Sequence, residues 1–511
     1  MADTEARSDR SSAAAPRGRQ SSAAPPWSML VCADLGYLSL EPAKLLAADW
    51  GRFFADAKVR IEGTVPAGVG QPSFSVELNP ATLDDLSPSK LAESLPHLQG
   101  LVQLRDTLLS VGDGLTVADA LEVIEREQEG GGLRERARGL LESELRSMRG
   151  ESRVASDKLA SILEQLEAAI EGDTRRCVQQ GFFNDRRAAW LALRQLATAA
   201  GRSSSFAIRV CSGPRDTMTG HLGDILTQCA RKGDSPDMVL WDYPVNINMR
   251  DMKALSHLAA ETDAHDAMLL SSLAEDEPLV QSMVSEDNTG ELLLEEHFVP
   301  LRRLRANPAA RCIVLSGPPV LLDPQGTPPA QAGAAWLVAH DIERLLIDGA
   351  SPLETTMPSG EDLERNFQFV LANTVRIPPH IAEEAASHGL VFLSDGMRAG
   401  QIALPTLVNP DMAETHSAHF GYNLLLNHLR RLTKQRIAAT PNAFDDPDEL
   451  QRALHEQILG TLAPYRIVTS DRAVRVSVVD TTVTVDVNCD RNLADSPLHF
   501  ELSLSSQGDP S

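Results

Sequence analysis

This chain has few aromatic residues, few basic residues for its number of acids, and few cysteines. Aromatic residues make up 4% of the 511 positions, so few rings are available to stack on nucleic-acid bases. The 47 Lys and Arg residues are outnumbered by 71 Asp and Glu, which gives a net charge of −24. Nucleic acids and anionic membranes both require a basic surface, so neither is expected as a partner. The acidity is interpreted as a source of solubility, with a specific cationic partner as the alternative.

The cysteines and the hydrophobic runs exclude several further classes of protein. The six cysteines form no C-x-x-C pair and do not have the spacing of metal ligands. This pattern favours buried free thiols in a reducing compartment. The cysteines are Cys32, Cys177, Cys211, Cys229, Cys312 and Cys489. No apolar run approaches the roughly 18 residues of a transmembrane helix, and the N-terminal residues lack the apolar core of a secretory signal. We therefore expect a cytoplasmic protein without membrane insertion.

The length of the chain predicts two or more domains, and 42% hydrophobic residues are enough to build their cores. Residues 1–27 are rich in Ser, Ala, Pro and Arg and are predicted to be a disordered tail. Residues 28–111 are predicted to form a mixed α/β domain, followed by a charged helical linker at 112–150 that contains Gly130–Gly132. Residues 151–511 are predicted to form a second, larger α/β domain.

The segment from Phe74 to Val111 looks built for packing rather than for chemistry. A short strand alternates apolar and polar residues, and Ser87-Pro88 then opens a helix, since Ser is a favoured N-cap and Pro is tolerated at the first helical position. Pro96 is expected to kink or split that helix. Ser87-x-x-Lys90 also matches a nucleophile motif, but Ser87 is better explained as the N-cap.

Three C-terminal segments show strict period-2 alternation, which predicts strands with one buried face. These strands are the candidate interface between protomers, and their apolar positions are Val474, Val476, Val478, Val483, Val485, Val487, Leu498, Phe500, Leu502 and Leu504. The pattern alone is equally consistent with an ordinary sheet within one chain.

No catalytic residue, cofactor site or metal site is predicted. His416, His419 and His428 are the residues to consider as metal ligands. On a helix, which turns about 100° per residue, their side chains point in different directions and cannot bind one metal ion. Asp242 follows a buried strand and is compatible with an acid at the carboxyl end of a sheet, but a structural role is favoured.

Four elements at 29–111 resemble the small subunit (TssB/VipA) of the type VI secretion system contractile sheath. The strand, the "DDxSP" turn at 84–88 and the following "LxxxxPxLxxLxxLRxxLL" helix are similar to the hallmark region of that family. Upstream, Met29–Gly36 resembles its apolar strand with an Asp-x-x-Gly turn, Asp49–Phe54 resembles its "D-x-x-x-F" helix, and Lys58–Val65 resembles the strand after that helix.

A second, colinear series over nearly all of 152–511 resembles the large sheath subunit (TssC/VipB). Phe183, Trp190, Leu193 and Leu196 match its "F-x-x-x-x-x-x-W-x-x-L-x-x-L" helix. Among the later matches, Asp237–Tyr243 is similar to a family strand and Tyr422–Ile437 to a family helix.

The two resemblances together imply a fused sheath protomer that is structural and not an enzyme. The family polymerises into a helical tube around an inner tube of stacked hexameric rings, docks on a baseplate and contracts. Its C-terminal strands join neighbouring protomers by β-augmentation. An AAA+ unfoldase recycles the family through a segment near the N-terminus of the large subunit, whereas the matching helix here, Leu159–Ile170, lies inside the chain. Recycling by that partner is therefore left open.

Two alternatives are carried forward. Residues 1–27 show no strand pattern where the small-subunit family has a β-strand arm, and the chain is shorter than the two family subunits together. These departures favour a sheath relative that no longer contracts and acts as a baseplate-associated scaffold. The other alternative is an unrelated α/β enzyme.

Overall fold

The structure is a computed structural model that describes residues 27–68, 73–111, 156–201, 205–274, 277–279, 282, 289–322, 329–358, 370–371, 377–394, 402–408, 418–440, 442–468, 470–488 and 498–503. The predicted linker at 112–150 and Leu504 lie outside these residues. So does the predicted disordered tail, except for Trp27, which is the first residue of a strand.

The elements before residue 112 are four strands and three α-helices: β1 (Trp27–Ala33), β2 (Ser39–Leu45), α1 (Trp50–Ala57), β3 (Ile61–Val65), β4 (Phe74–Leu78), α2 (Pro88–Ser94) and α3 (Pro96–Val111). The middle of the chain begins with α4 (Ser156–Val178), α5 (Gly181–Ala200), β5 (Phe206–Ser212), α6 (Arg215–Arg231), β6 (Met238–Val245), α7 (Met249–Ala264) and β7 (Met268–Leu273).

The next elements are α8 (Thr289–Leu292), α9 (Val299–Arg305), β8 (Ile313–Gly317), β9 (Val320–Leu321), β10 (Gln331–Ala332), α10 (Ala334–Ile347), β11 (Val370–Leu371), α11 (Pro379–Ser387) and β12 (Leu390–Phe392). The last are α12 (Phe420–Ala439), α13 (Pro447–Leu462), β13 (Val474–Val479), β14 (Thr482–Val487) and β15 (Leu498–Ser503).

A seven-stranded sheet in the order β12-β8-β7-β6-β1-β5-β2 organises the chain, and its strands are parallel except for β2. β1 lies between β5 and β6, with Met29 in register with both Ile208 and Met238. All seven residues of β1 are buried, as expected for a continuous apolar run at the centre of a parallel sheet. The predicted mixed α/β class is confirmed. The sheet draws strands from both predicted domains, and the division into two domains stays a prediction.

The helices against this sheet form two groups. α5 contacts α10, and α10 packs on the central strands, whereas α6 contacts α7, which packs on β6 and β7. Because β7 and β8 are buried along their whole length, the core of the protein lies on both faces of the sheet. Within the described residues, no helix combines the length and the apolar character that a membrane span requires.

The predicted start and interruption of the helix after the acidic turn are both confirmed. The side chain of Ser87 accepts a hydrogen bond from the Lys90 amide at 3.4 Å, and Pro88 occupies the first position of α2. Leu95 ends α2 in an extended conformation, and Pro96 begins α3. Proline at this point has no N–H to continue the first helix, so two helices form instead of one.

The C-terminal strands form a separate three-stranded antiparallel sheet in the order β13-β14-β15. It packs on α12 and α13 and builds a second hydrophobic core that includes Leu454, Ile458 and Phe500. The predicted alternation is confirmed, since Val474 and Val476 are buried whereas Arg475 and Ser477 are exposed.

Candidate functional site

The three-stranded C-terminal sheet holds the predicted interface residues, and most of them point into the core of their own chain. The buried positions are Val474, Val476, Val483, Val485, Val487, Leu498, Phe500 and Leu502, while Val478 is partly buried. Val485 is in register with both Val476 and Phe500, so the apolar face is continuous across the three strands. These side chains are therefore used within one chain, and pairing between protomers stays a prediction.

What this sheet offers to another chain is the backbone of its outer strands. β14 is paired on both sides, whereas β13 and β15 each pair with β14 alone among the described strands. An outer strand presents a row of N–H and C=O groups that can pair with an added strand. Val479, at the end of β13, leaves 65% of its surface exposed. The free edges of β13 and β15 are the candidate interaction surface.

A groove of about 650 Å³ runs between β13 and the exposed face of α13. Charged and polar groups of both elements line it, including Arg452, Glu456 and Arg475. At its margin, Asp486 of β14 lies 2.6 Å from the Nδ1 of His499 on β15. The walls of the groove are thus polar and of mixed charge, so they do not form an apolar pocket.

A buried cluster of charges connects the C-terminal unit, formed by α12, α13 and the sheet of β13, β14 and β15, to the main sheet. Asp237 precedes β6, and its carboxylate accepts hydrogen bonds from the Ser28 amide at 2.8 Å and from Arg431 at 2.5 Å. His428 Nδ1 lies 2.6 Å from the same carboxylate. Burial alone would raise the pKa of Asp237, but Arg431 and His428 lower it to about 2. The same burial lowers the pKa of His428, against the opposing effect of Asp237.

Trp27 closes this cluster on the side of the first strand. Its indole ring stacks on His428 with ring centroids 4.0 Å apart, and its Nε1 donates to the hydroxyl of Tyr465 at 2.5 Å. Residues from β1, α12 and the turn after α13 are therefore held around one carboxylate, that of Asp237. The cluster fixes the C-terminal unit against the N-terminal edge of the parallel sheet.

At the opposite edge, the carboxyl ends of the parallel strands border a cleft of about 630 Å³. Asp34 follows β1 and Asp242 lies near the end of β6, so the two acids are on neighbouring strands. Asp34 accepts two hydrogen bonds from Arg186 of α5, at 2.9 and 3.2 Å. Burial raises the pKa of Asp242 to about 7, with smaller contributions from Asp185 and Asp34. The sequence suggests that Asp242 follows a buried strand, whereas the structure places it inside β6, three residues before the strand ends.

No group of three or more His, Cys, Asp or Glu side chains in the described part of the chain could hold a metal ion. Five of the six cysteines are buried free thiols, as predicted: Cys32, Cys177, Cys211, Cys229 and Cys312. His428 belongs to the Asp237 cluster, and His419 is the residue before α12.

Comparisons with known proteins show a distant structural likeness. The sequence matches no family model and no curated protein. Among solved structures, the chain is similar to a sheath tail protein of Desulfitobacterium hafniense, with 14% sequence identity and a TM-score of 0.30. The similarity covers 49% of this chain and 59% of that protein, so the chain spans little more than half of the length of that relative. A likeness of this size carries no argument about function.

Sequence reasoning did not find the Asp237 cluster. The sequence places Asp237 at the start of a strand and suggests His428 only as a candidate metal ligand. The sequence contains two signals of this cluster. Asp237 is an acid directly before an apolar strand, and His428 and Arg431 lie three residues apart on one helix face. Neither signal identifies the partner, because Asp237 and His428 lie 191 positions apart in the sequence.

Proposed function

We propose that this chain is a structural protomer of a contractile sheath related to that of the type VI secretion system, with a small-subunit-like and a large-subunit-like part in one polypeptide. In this proposal, protomers polymerise in the cytoplasm into a helical tube around an inner tube of stacked hexameric rings. The tube docks on baseplate proteins and contracts to drive the inner tube outward. The role is structural, without a catalytic residue or a cofactor.

The observation that carries the proposal is that residues from the two series of motifs pack against each other. Phe54 belongs to the small-subunit-like series and Trp190 to the large-subunit-like series, and their ring centroids lie 4.5 Å apart. The Nε1 of Trp190 also donates to the Leu35 carbonyl at 3.0 Å. Both motif series therefore supply residues to one buried contact, which is the contact expected if a small and a large sheath subunit were joined.

The ion pair beside this contact supports the same interpretation. Asp34, Leu35 and Gly36 form a tight Asp-x-Gly turn after β1, in which the Gly36 amide donates to Asp34 at 3.1 Å. Gly36 has a φ of 81°, and a Cβ there would lie 2.9 Å from the Arg60 carbonyl oxygen, so the turn requires glycine. Arg186 of α5 then clamps the Asp34 carboxylate. The features shared with the small-subunit family thus form the surface on which the large-subunit-like helix α5 rests.

Polymerisation through the edge of β13 is tested by a single substitution. Val479→Lys places a charge beside the free edge of β13, and charges on an outer strand oppose the addition of another strand. We expect Val479→Lys to lower the fraction of protein that pellets on ultracentrifugation by at least about fivefold, while far-ultraviolet circular dichroism stays unchanged.

Leu294→Lys is the matched control, because Leu294 is also an exposed apolar side chain, at 71%, and lies far along the chain from this sheet. It should pellet like the unmodified protein. Equal pelleting of all three proteins would rule out the β13 edge as the polymer contact. Deletion of residues 496–511 is a poorer test, because it removes β15 and with it the buried Leu498 and Phe500.

The alternative of a scaffold that assembles without contracting rests on the sequence departures described above. It predicts assemblies of one fixed length and diameter that do not shorten. Electron micrographs of the assemblies before and after treatment with mild denaturant would distinguish it, since a contractile sheath occurs in two states of different diameter.

A further inference from the structure

Two of the buried thiols lie side by side on neighbouring strands of the main sheet. Cys32 of β1 is in register with Cys211 of β5, and both side chains are fully buried. Because the two strands are parallel and the residues are directly paired, their Cβ atoms point to the same face of the sheet. Neighbouring strands lie about 4.8 Å apart, which is within the Cα separation of about 4.4 to 6.8 Å that a disulfide requires.

A third thiol lies near this pair but on a different kind of element. Cys229 is a buried residue of α6, whereas the strand register itself fixes Cys32 beside Cys211. Burial raises the pKa of Cys32, and Cys211 and then Cys229 raise it further, in that order of size. The order agrees with Cys211 as the nearer thiol, so the strand pair is the pair that can be joined with the least movement of the backbone.

The edge of the sheet beside Cys211 is irregular. β2 is the outer strand next to β5, and its pairing with β5 shifts register between Ser39 and Ala43. Cys211 lies opposite this shift, and its Sγ donates to the Leu40 carbonyl at 3.8 Å. Pro42, within the shifted stretch, has no N–H to pair with β5. An interrupted outer strand opens more readily than the centre of a sheet, so this stretch gives a small molecule a route to Cys211.

Burial keeps the thiols protonated while the sheet is closed. It raises the pKa of Cys211 to about 12, and Cys229 adds to the shift. The thiolate is the nucleophile in thiol–disulfide exchange, so Cys211 reacts after the irregular stretch of β2 has opened and water has reached the sulfur. Oxidation of this pair should therefore be slow in the folded chain.

We propose that Cys32 and Cys211 form a reversible disulfide when the folded chain meets a small-molecule disulfide such as glutathione disulfide. The Cys211 thiolate attacks one sulfur of the small disulfide, forms a mixed disulfide and releases one small thiolate. The Cys32 thiol loses its proton and attacks the Cys211 sulfur, which forms the protein disulfide and releases the second small thiolate. Two protein thiols are oxidised, one small disulfide is reduced, and the two thiol protons end on the two small thiols.

This disulfide joins the two parts of the chain covalently. Cys32 is the only cysteine before the predicted linker at 112–150, and the other five lie after it. The bond fixes β1 beside β5 and closes a loop of about 180 residues, which restricts the unfolded chain. Oxidised protein should therefore unfold at a higher urea concentration than reduced protein. The inference concerns the single chain and does not depend on polymerisation.

The test uses the full chain with a protease site introduced at Gly130–Gly132. The folded protein is incubated with glutathione disulfide at pH 8, the remaining thiols are blocked with N-ethylmaleimide in denaturant, and the diluted chain is then cut. We expect the two fragments to run as one band on a denaturing gel without reductant and as two bands after dithiothreitol. Because the N-terminal fragment contains Cys32 alone, any link runs through it.

Peptide mapping of the oxidised, unmodified chain by mass spectrometry identifies the partner of Cys32 directly, so the test does not require a variant to fold. In the cut chain, Cys211→Ala should abolish the single band, whereas Cys229→Ala should keep it. Cys312→Ala is the matched control, because Cys312 is equally buried but precedes β8, three strands from β1, and it should also keep the band. Absence of any link in the folded chain, a partner other than Cys211, or a link that persists in Cys211→Ala would overturn the proposal.

Discussion

At the scale of single residues, Asp237 connects β1 and α12 through one carboxylate. Its carboxylate is buried, and burial of a charge is unfavourable unless partners compensate for it. The compensation comes from the Ser28 amide, Arg431 and His428, which belong to β1 and α12. Removal of one partner from a buried ion pair leaves the other charge uncompensated.

Asp237→Asn should therefore lower the free energy of unfolding by about 3 to 5 kcal/mol, because Arg431 would keep a buried charge without its carboxylate. Urea unfolding at pH 7 measures the loss. Asp224→Asn, which alters an exposed acid, should change the free energy by less than about 0.5 kcal/mol. A similar small effect of both substitutions would contradict the role assigned to Asp237.

The pH dependence of stability has a definite sign. The pKa of Asp237 is about 2 in the folded protein and about 4 in an unfolded chain, so its contribution is complete above pH 4 and is lost as the pH falls toward 2. The pKa of His428 is also lowered, so the unfolded chain binds a proton below about pH 6.5 that the folded protein does not bind. Stability should therefore fall with acidification in both ranges, and in Asp237→Asn the loss between pH 4 and pH 2 should be smaller.

Trp190 is the second residue with long-range consequences. It is fully buried, packs edge to face against Trp50 at 5.8 Å between centroids, and lies tilted against Phe54. Trp190→Ala should lower the free energy of unfolding by about 3 to 5 kcal/mol through the cavity it leaves. Trp190→Phe keeps a ring but loses the hydrogen bond to Leu35, and it should lower the free energy of unfolding by about 1 to 2 kcal/mol. Equal losses in both variants would show that ring packing is not the main contribution.

At the scale of elements, the sequence predicted local features well. Ser87 and Pro96 marked the helix start and the interruption because capping and the missing N–H of proline act within a few residues. The alternation in β13, β14 and β15 predicted which side chains are buried. The pattern did not predict the pairing partner of each strand, because period-2 alternation is the same for a sheet within one chain and for a sheet shared between chains.

Local sequence patterns could not predict where β1 lies in the sheet. Its apolar run indicates a buried strand, and the structure inserts it between β5 and β6, whose residues lie about 180 or more positions further along the chain. The cleft around Asp242 likewise depends on contacts between residues that are far apart in the sequence. The sequence indicates the strand that carries Asp242, but not that Arg186, which pairs with the nearby Asp34, comes from α5.

At the scale of the whole molecule, the shared sheet predicts that the two parts of the chain do not separate. A protease site introduced at Gly130–Gly132 would cut between β1 and β5 in the sequence, within a segment outside the described residues. Separation would remove the central strand β1 from between β5 and β6 and expose Trp190. We expect the cut protein to elute from a gel-filtration column as one species in the absence of denaturant. Elution as two separate fragments would contradict the shared sheet.

The most direct test of the proposed function is negative-stain electron microscopy of the purified full-length chain over a range of protein concentrations. A sheath protomer with free outer strands in its C-terminal sheet should form long tubes of uniform width, and Val479→Lys should shorten or abolish them. Discrete small oligomers at every concentration, without tubes, would contradict the account.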